Sequence, residues 1–132
     1  MSGIRNRLEN GLEKGHFYAP TLLSDITPEM LIYREETFGP VAPVIAFDDD
    51  DDVLAMANDT SYGLAAYVYT QNLSRAMRAF EGLQFGIIGI NDINPTSAAA
   101  PFGGMKESGL GREGAREGIE EYLETKLGGF SI

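Results

Sequence analysis

The densest group of residues suited to binding chemistry lies between Pro101 and Glu113, in the stretch PFGGMKESGLGRE, called here the Gly-rich loop. Four of its thirteen residues are glycines, which let a backbone turn repeatedly or pass close to another group. Phenylalanine, methionine and leucine at spaced positions distinguish it from a flexible linker. We therefore predict an ordered loop with side chains directed at fixed targets, and such loops commonly form walls of active sites.

Charged side chains within and beside this loop are predicted to hold it against neighbouring elements. Lys106, Arg112 and Glu113 can each make charge-assisted hydrogen bonds, which are stronger than neutral ones. We assign these three residues a structural rather than a catalytic role.

Metal chemistry finds little support in the sequence. The five consecutive aspartates Asp48–Asp52 are typical of a solvated helix start, where carboxylates stabilise free N–H groups. Calcium binding is the alternative, but consecutive carboxylates do not match the alternating ligands of an EF-hand loop. His16 has no partner motif, and the chain has no cysteine, which excludes disulfides and thiolate metal sites. No metal site is expected.

Two stretches of the chain resemble signatures of the aldehyde dehydrogenase superfamily. One is the Gly-rich loop with Gly114 appended, and the other is Glu35 to Val41, called here the EETFGPV segment. They occur in the family's order and at family-like spacing, and the lead-in His16 to Leu23 is also similar. The resemblance covers about Gly3 to Ile132, and the last third is most similar to the succinate-semialdehyde dehydrogenase group.

The resemblance implies NAD(P)-dependent oxidation of an aldehyde, such as succinate semialdehyde, to the carboxylic acid. In the family the cysteine nucleophile, the general-base glutamate and the dinucleotide-binding turn all lie upstream of the region matched here. This chain is therefore similar to about the last quarter of such an enzyme, has no catalytic residue of its own and is expected to be inactive alone. The alternative is an inert truncated remnant or a non-enzymatic subunit-association module.

The EETFGPV segment is where the resemblance implies cofactor binding, to NAD or NADP. Glu36 matches the glutamate that accepts hydrogen bonds from the nicotinamide-side ribose hydroxyls, and Phe38 matches the phenylalanine that packs by the nicotinamide ring. The alternative is an exposed glutamate and a core phenylalanine before a turn. Glu35 is assigned a structural role.

Three residues are implied to bind substrate. Phe102 matches the position that lines the aldehyde-entry tunnel, and a core aromatic is the alternative. Thr96 lies opposite a serine that helps bind the distal carboxylate in the succinate-semialdehyde group, and Ser97 is its neighbour; two solvated loop hydroxyls are the alternative. Asn91 matches an asparagine at a strand end, where it either steadies nearby loops or caps a turn.

The elements that must position these residues follow a β-α-β-α-β pattern, which favours a parallel sheet. We predict an α/β fold: a partial catalytic domain of the aldehyde dehydrogenase fold, with a parallel core and a C-terminal oligomerisation strand. Residues 1–122 would form the catalytic portion and residues 123–132 the strand. The predicted core comprises strands at 41–47, 64–70 and 85–90 and helices at 53–58 and 75–83.

The flanking segments carry further expectations. Residues 17–23 are predicted to form an edge strand or extended segment because Pro20 lacks a ladder donor. Residues 30–34 are predicted as a brief strand and 114–122 as a helix. By the resemblance, the final strand joins subunits into a homo-oligomer, with Leu127, Phe130 and Ile132 as apolar contacts.

Charge and hydropathy exclude several classes of partner. The net charge of −10 and the sequence pI of about 4.4 argue against nucleic acid and against an anionic membrane surface. No apolar run approaches the roughly 20 residues that span a bilayer, and residues 1–15 lack the apolar region of a signal peptide. We expect a cytoplasmic chain whose partners are a small aldehyde and other copies of itself.

Overall fold

The structure is a computed structural model of the 132-residue chain and describes residues 3–5 and 11–132. The chain divides into two compact units, Met1–Asp48 and Asp49–Ile132. No helix in the described part of the chain is both long enough and apolar enough to cross a membrane.

The first unit contains a three-stranded sheet in the order β1-β2-β3, formed by Gly3–Arg5, Thr21–Leu23 and Val41–Pro43. β2 pairs antiparallel with β1 and parallel with β3. The prediction of an edge strand here is wrong, since β2 is central. Pro20 precedes the first strand residue, so its missing N–H removes no ladder bond, and the Thr21 N–H donates to the Pro40 carbonyl oxygen at 2.8 Å.

Two short elements of the first unit also differ from the sequence prediction. The predicted strand at 30–34 is a helix, α1, at Leu31–Arg34. β3 ends at Pro43 and pairs with β2, so it does not join the sheet formed later in the chain. The parallel β-α-β core therefore begins one strand later than the pattern predicted.

The second unit confirms the α/β class. It contains α2 (Asp50–Asn58), β4 (Ala65–Val68), α3 (Leu73–Gly82), β5 (Ile87–Ile90) and α4 (Ala115–Glu120). β4 and β5 form a parallel pair with α3 as the connection, in a register that sets Ala65 opposite Ile87.

Side-chain caps explain where the two longer helices begin. The Asp49 carboxylate accepts from the Asp51 N–H at 2.7 Å, and the Asn72 side chain accepts from the Arg75 N–H at 3.0 Å. The aspartate run is thus a helix start, as predicted. It also pairs with α3, through Asp50 to the Arg75 guanidinium at 2.7 Å and Asp51 to that of Arg78. In the described ranges, no group of three His, Cys, Asp or Glu side chains is arranged to hold a metal ion.

The apolar interior is small. Among the described residues no side chain is less than 2% exposed, and the buried apolar side chains are Ala19, Ile26, Ala79 and Leu83. The apolar side chains of α3 differ in burial. Ala79 and Leu83 are buried, whereas 48% of Met77 and 55% of Phe80 remain exposed.

The C-terminal segment, residues 123–132, follows α4 without forming a strand within the single chain. Its apolar side chains are almost fully exposed, at 97% for Leu127 and 94% for Phe130. The oligomerisation strand stays a prediction, because such a strand would form its hydrogen bonds only with another copy.

Candidate functional site

Asn91 joins the ends of the two parallel strands. Its side-chain oxygen accepts from the Thr70 N–H at 2.9 Å, and its side-chain nitrogen donates to the Thr70 carbonyl at 2.8 Å. The Asn91 backbone, at φ 54, lies in the left-handed region, which asparagine tolerates better than most residues. Both strand ends are therefore fixed where the loop of residues 91–101 begins.

That loop carries the predicted substrate residues and is held by its own polar groups. The Thr96 hydroxyl donates to the Asn94 side-chain oxygen at 2.8 Å, and the Asn94 N–H donates to the Asp92 carboxylate at 2.8 Å. The Ser97 carbonyl accepts from the Ala100 N–H at 3.0 Å. The Thr96 and Ser97 side chains are both exposed.

Thr96 and Phe102 line one pocket of about 170 Å³ beside β5. The Phe102 ring is 40% exposed, so it is not a fully enclosed core aromatic. Ser97 lies next to this pocket in sequence but does not line it. The lining residues are Gly86, Ile87, Ile88, Pro95, Thr96, Ala100, Pro101 and Phe102.

The Gly-rich loop is closed at its base by two backbone hydrogen bonds, each 2.7 Å, between Phe102 and Glu113. Inside the loop, the Arg112 guanidinium donates to the carbonyl oxygens of Gly104 at 2.9 Å and Gly111 at 2.6 Å. Arg112 therefore makes structural bonds, but within the loop and not to a neighbouring element as predicted. Glu113 holds the loop through its backbone.

The loop tip rests on the segment of residues 58–63. The Met105 N–H donates to the Gly63 carbonyl at 2.9 Å, and the Gly63 N–H donates to the Ser108 hydroxyl oxygen at 2.9 Å. The Lys106 ammonium group donates to the carbonyls of Asn58 at 3.2 Å and Thr60 at 2.9 Å, which confirms its predicted structural role.

Glycine is required where the loop base meets the approach to β5. A Cβ atom on Gly86 would lie 1.9 Å from the Gly103 carbonyl oxygen, a backbone atom that cannot move aside cheaply. Gly86 therefore allows the close approach of the Gly-rich loop.

Sequence reasoning gave Asn58 no role, although it connects three elements. Its side-chain nitrogen donates to the Gly82 carbonyl at 2.8 Å, and its side-chain oxygen accepts from the Gln84 N–H at 2.8 Å. The only local signal is a polar amide that ends an otherwise apolar helical run.

In the first unit, the EETFGPV segment presents its side chains outward. Phe38 is 96% exposed, and the Glu36 carboxylate, also exposed, makes no hydrogen bond to residues 3–5 or 11–132. A Cβ on Gly39 would meet no atom within 4 Å. The segment is bound at both ends, where the Glu35 N–H donates to the Leu31 carbonyl at 2.8 Å and the Pro40 carbonyl accepts from Thr21. Phe38 therefore does not occupy a core position in the described part of the chain.

The residues just before α1 contain a carboxylate with a perturbed pKa. A hydrogen bond from the Thr27 side chain, then one from its own backbone N–H, holds the pKa of Glu29 below its ordinary value, with a smaller contribution from Arg34. The Arg34 side chain also donates to the Pro28 carbonyl at 3.1 Å. These contacts fix the approach to the EETFGPV segment.

Sequence comparison agrees with the two motifs. The profile of the aldehyde dehydrogenase family matches residues 1–127. An NADP(+) succinate-semialdehyde dehydrogenase of Escherichia coli is 54% identical over 112 residues, which cover 85% of this chain and 23% of the relative. A non-phosphorylating aspartate-semialdehyde dehydrogenase of Halomonas elongata is 53% identical over 111 residues, covering 84% and 22%.

Solved structures show the same relationship. A betaine aldehyde dehydrogenase of Staphylococcus aureus superposes with a TM-score of 0.86 at 39% identity, covering 95% of this chain and 25% of that one. A succinate-semialdehyde dehydrogenase of Burkholderia pseudomallei gives 0.78 at 47%, covering 82% and 23%. The chain thus spans about a quarter of the length of the relatives it matches. Since the profile covers almost the whole chain and the relatives share its fold, the chain belongs to the aldehyde dehydrogenase family.

Proposed function

We propose that this chain is the C-terminal portion of an NAD(P)-dependent aldehyde dehydrogenase of the cytoplasm, which oxidises a small semialdehyde to the carboxylic acid. The observation that carries this proposal is the pocket beside β5, which Phe102 and Thr96 share. Relatives named for succinate semialdehyde and aspartate semialdehyde favour a substrate with a second carboxylate, and succinate semialdehyde is the proposed one.

The pocket residues suit such a substrate. The Phe102 ring, with Ile88 and Pro95, offers an apolar wall for the substrate stem and keeps water from it. The Thr96 hydroxyl, which now donates to Asn94, can rotate to donate to a distal carboxylate. Ser97 supplies a second exposed hydroxyl beside it.

The EETFGPV segment suits the nicotinamide end of NAD or NADP, which accepts the hydride when bound. The Glu36 carboxylate is exposed and has no partner among the described residues, so both oxygens can accept from two adjacent ribose hydroxyls. Phe38, at 96% exposure, offers a flat face that limits how the nicotinamide ring can lie.

The sequence contains no cysteine, so in this proposal the upstream portion of the enzyme supplies the nucleophile. By the family resemblance, it also supplies the general base. The test is to join or co-express this chain with the upstream three quarters of a relative and to follow reduced cofactor by absorbance. We expect no turnover of succinate semialdehyde by the chain alone and steady turnover by the assembled protein. Replacing the upstream cysteine with alanine is the control. An assembled complex that binds cofactor yet turns over no aldehyde would refute the proposal.

The second candidate is a module that only associates subunits. The observation that favours it is the apolar tail, in which Leu127 and Phe130 are almost fully exposed. Light scattering after gel filtration, at about 0.15 M ionic strength, compares the full chain with a version that ends at Lys126. We expect the full chain to self-associate by strand addition and the shorter one to do so less. A single 14.3 kDa species for the full chain contradicts association through the tail.

A further inference from the structure

Asn58 connects parts of the second unit that are distant in sequence. As the last residue of α2, it bonds through its side chain to the end of α3 at Gly82 and to Gln84, which lie 24 and 26 residues further on. Both atoms of its part-buried amide are thereby used. Asn58 therefore fixes the start of the segment of residues 58–63 relative to α3 and to the approach to β5.

Lys106 connects that segment to the Gly-rich loop. Its ammonium group bonds the carbonyls of Asn58 and Thr60 and lies 5.5 Å from the centre of the Phe85 ring. Its backbone, at φ 54, lies in the left-handed region, which is unfavourable for lysine. The side-chain contacts offset that cost and hold the loop tip in this conformation.

The contact between loop and segment continues along the backbone. The Glu107 N–H donates to Ser61 at 3.0 Å, and Gly63 exchanges hydrogen bonds with Met105 and Ser108. Beyond the tip, the loop returns to its base, where the backbone N–H groups of Phe102 and Glu113 each donate to the carbonyl of the other residue. The position of the Phe102 ring thus depends on where the segment of residues 58–63 holds the loop.

We propose that Asn58 is a positioning residue for the Phe102 pocket, acting through the segment of residues 58–63 and Lys106 without touching substrate. The effect on substrate rests on the proposed function, whereas the effect on the loop does not. Asn58 should therefore govern aldehyde binding far more than cofactor binding.

Hydrogen exchange of the 132-residue chain tests whether Asn58 fixes the Gly-rich loop. Asn58→Ala should speed exchange at the Met105 and Glu107 amides by about tenfold or more, because the segment that holds them loses two hydrogen bonds. Asn72→Ala is the matched control: it removes the α3 cap, and exchange in the loop should stay within about twofold. Equal loop exchange in the two variants would overturn the proposal.

Three further variants keep the test decisive if Asn58→Ala unfolds the chain. Asn58→Asp retains the acceptor for Gln84 and loses only the donor to Gly82, so loop exchange should rise by less than in the alanine variant. Lys106→Arg keeps donors for both carbonyls and should preserve slow exchange, whereas Lys106→Met should not. Slow loop exchange in both Asn58→Asp and Lys106→Met would also overturn the proposal.

The enzyme assembled with its upstream portion tests whether Asn58 affects aldehyde binding. Asn58→Ala should raise KM for the aldehyde about tenfold and leave KM for the cofactor within about twofold, since the loop forms the pocket wall. Unchanged aldehyde KM in an active enzyme refutes the positioning role and leaves the proposed function standing. An inactive unsubstituted assembly refutes the proposed function, and hydrogen exchange still decides whether Asn58 fixes the loop.

Discussion

The two signature segments differ in how far the chain itself supports their conformation. The Gly-rich loop is closed at its base by the Phe102–Glu113 pair, braced internally by Arg112 and seated on Gly63. The EETFGPV segment is bound through its backbone at Glu35 and Pro40, and between them it projects Glu36 and a 96% exposed Phe38.

The difference indicates where each segment obtains its order. The Gly-rich loop uses its polar groups within the second unit, so its geometry is set before any ligand binds. In the EETFGPV segment the Glu36 carboxylate has no hydrogen-bond partner among the described residues and the Phe38 ring is exposed, which suits residues that contact a ligand directly. Substitutions in the first should therefore change stability, and substitutions in the second should change binding.

The largest effect is expected where the Gly-rich loop meets β5. Gly86→Ala places a Cβ 1.9 Å from the Gly103 carbonyl oxygen, and we expect the free energy of unfolding to fall by roughly 2–4 kcal/mol. Gly39→Ala in the EETFGPV segment is the matched control, with nothing within 4 Å and an expected change of at most about 0.5 kcal/mol. Urea unfolding measures the free energy of unfolding of both variants. Equal losses of stability would contradict the predicted difference between the two segments.

A smaller loss is expected from Arg112→Met. The substitution leaves the carbonyls of Gly104 and Gly111 without their donor and should lower the free energy of unfolding by about 1–3 kcal/mol. Arg116→Met is the control, because its pair with Glu120 lies on an exposed face of α4 and contributes about 0.5 kcal/mol or less. If thermal and urea unfolding do not distinguish the two variants, Arg112 does not brace the loop.

The smallest effects on stability are expected in the EETFGPV segment. Phe38→Ala and Glu36→Gln should each change the free energy of unfolding by less than about 0.5 kcal/mol, since both side chains are exposed. In the assembled enzyme, Glu36→Gln should weaken cofactor binding by roughly 1–3 kcal/mol, the scale of a hydrogen bond to a charged group. Titration calorimetry with NAD and NADP measures this loss of affinity. Unchanged affinity for both cofactors would show that Glu36 does not bind them.

Sequence reasoning predicted the features that depend on residues close together in the sequence. The existence of α2 and α3 was predicted, although at residues 53–58 and 75–83, whereas the helices begin at Asp50 and Leu73. Both starts have a local cause, since the Asp49 and Asn72 side chains accept from N–H groups two and three residues away. The strands β4 and β5 follow from apolar runs, and the resemblance singled out the segments that contain Glu36 and Phe102. Each of these patterns lies within a short stretch of sequence, so it can be recognised without knowing the rest of the fold.

Only the tertiary structure decided how these elements pair. β2 became a central strand and β3 joined it, because strand order depends on contacts between distant segments that no local pattern specifies. The Gly63–Ser108 bond spans 45 residues, and the partners of Asn58 lie 24 and 26 residues away. A sequence alone names the residues able to make such bonds, and the folded chain selects which of them meet.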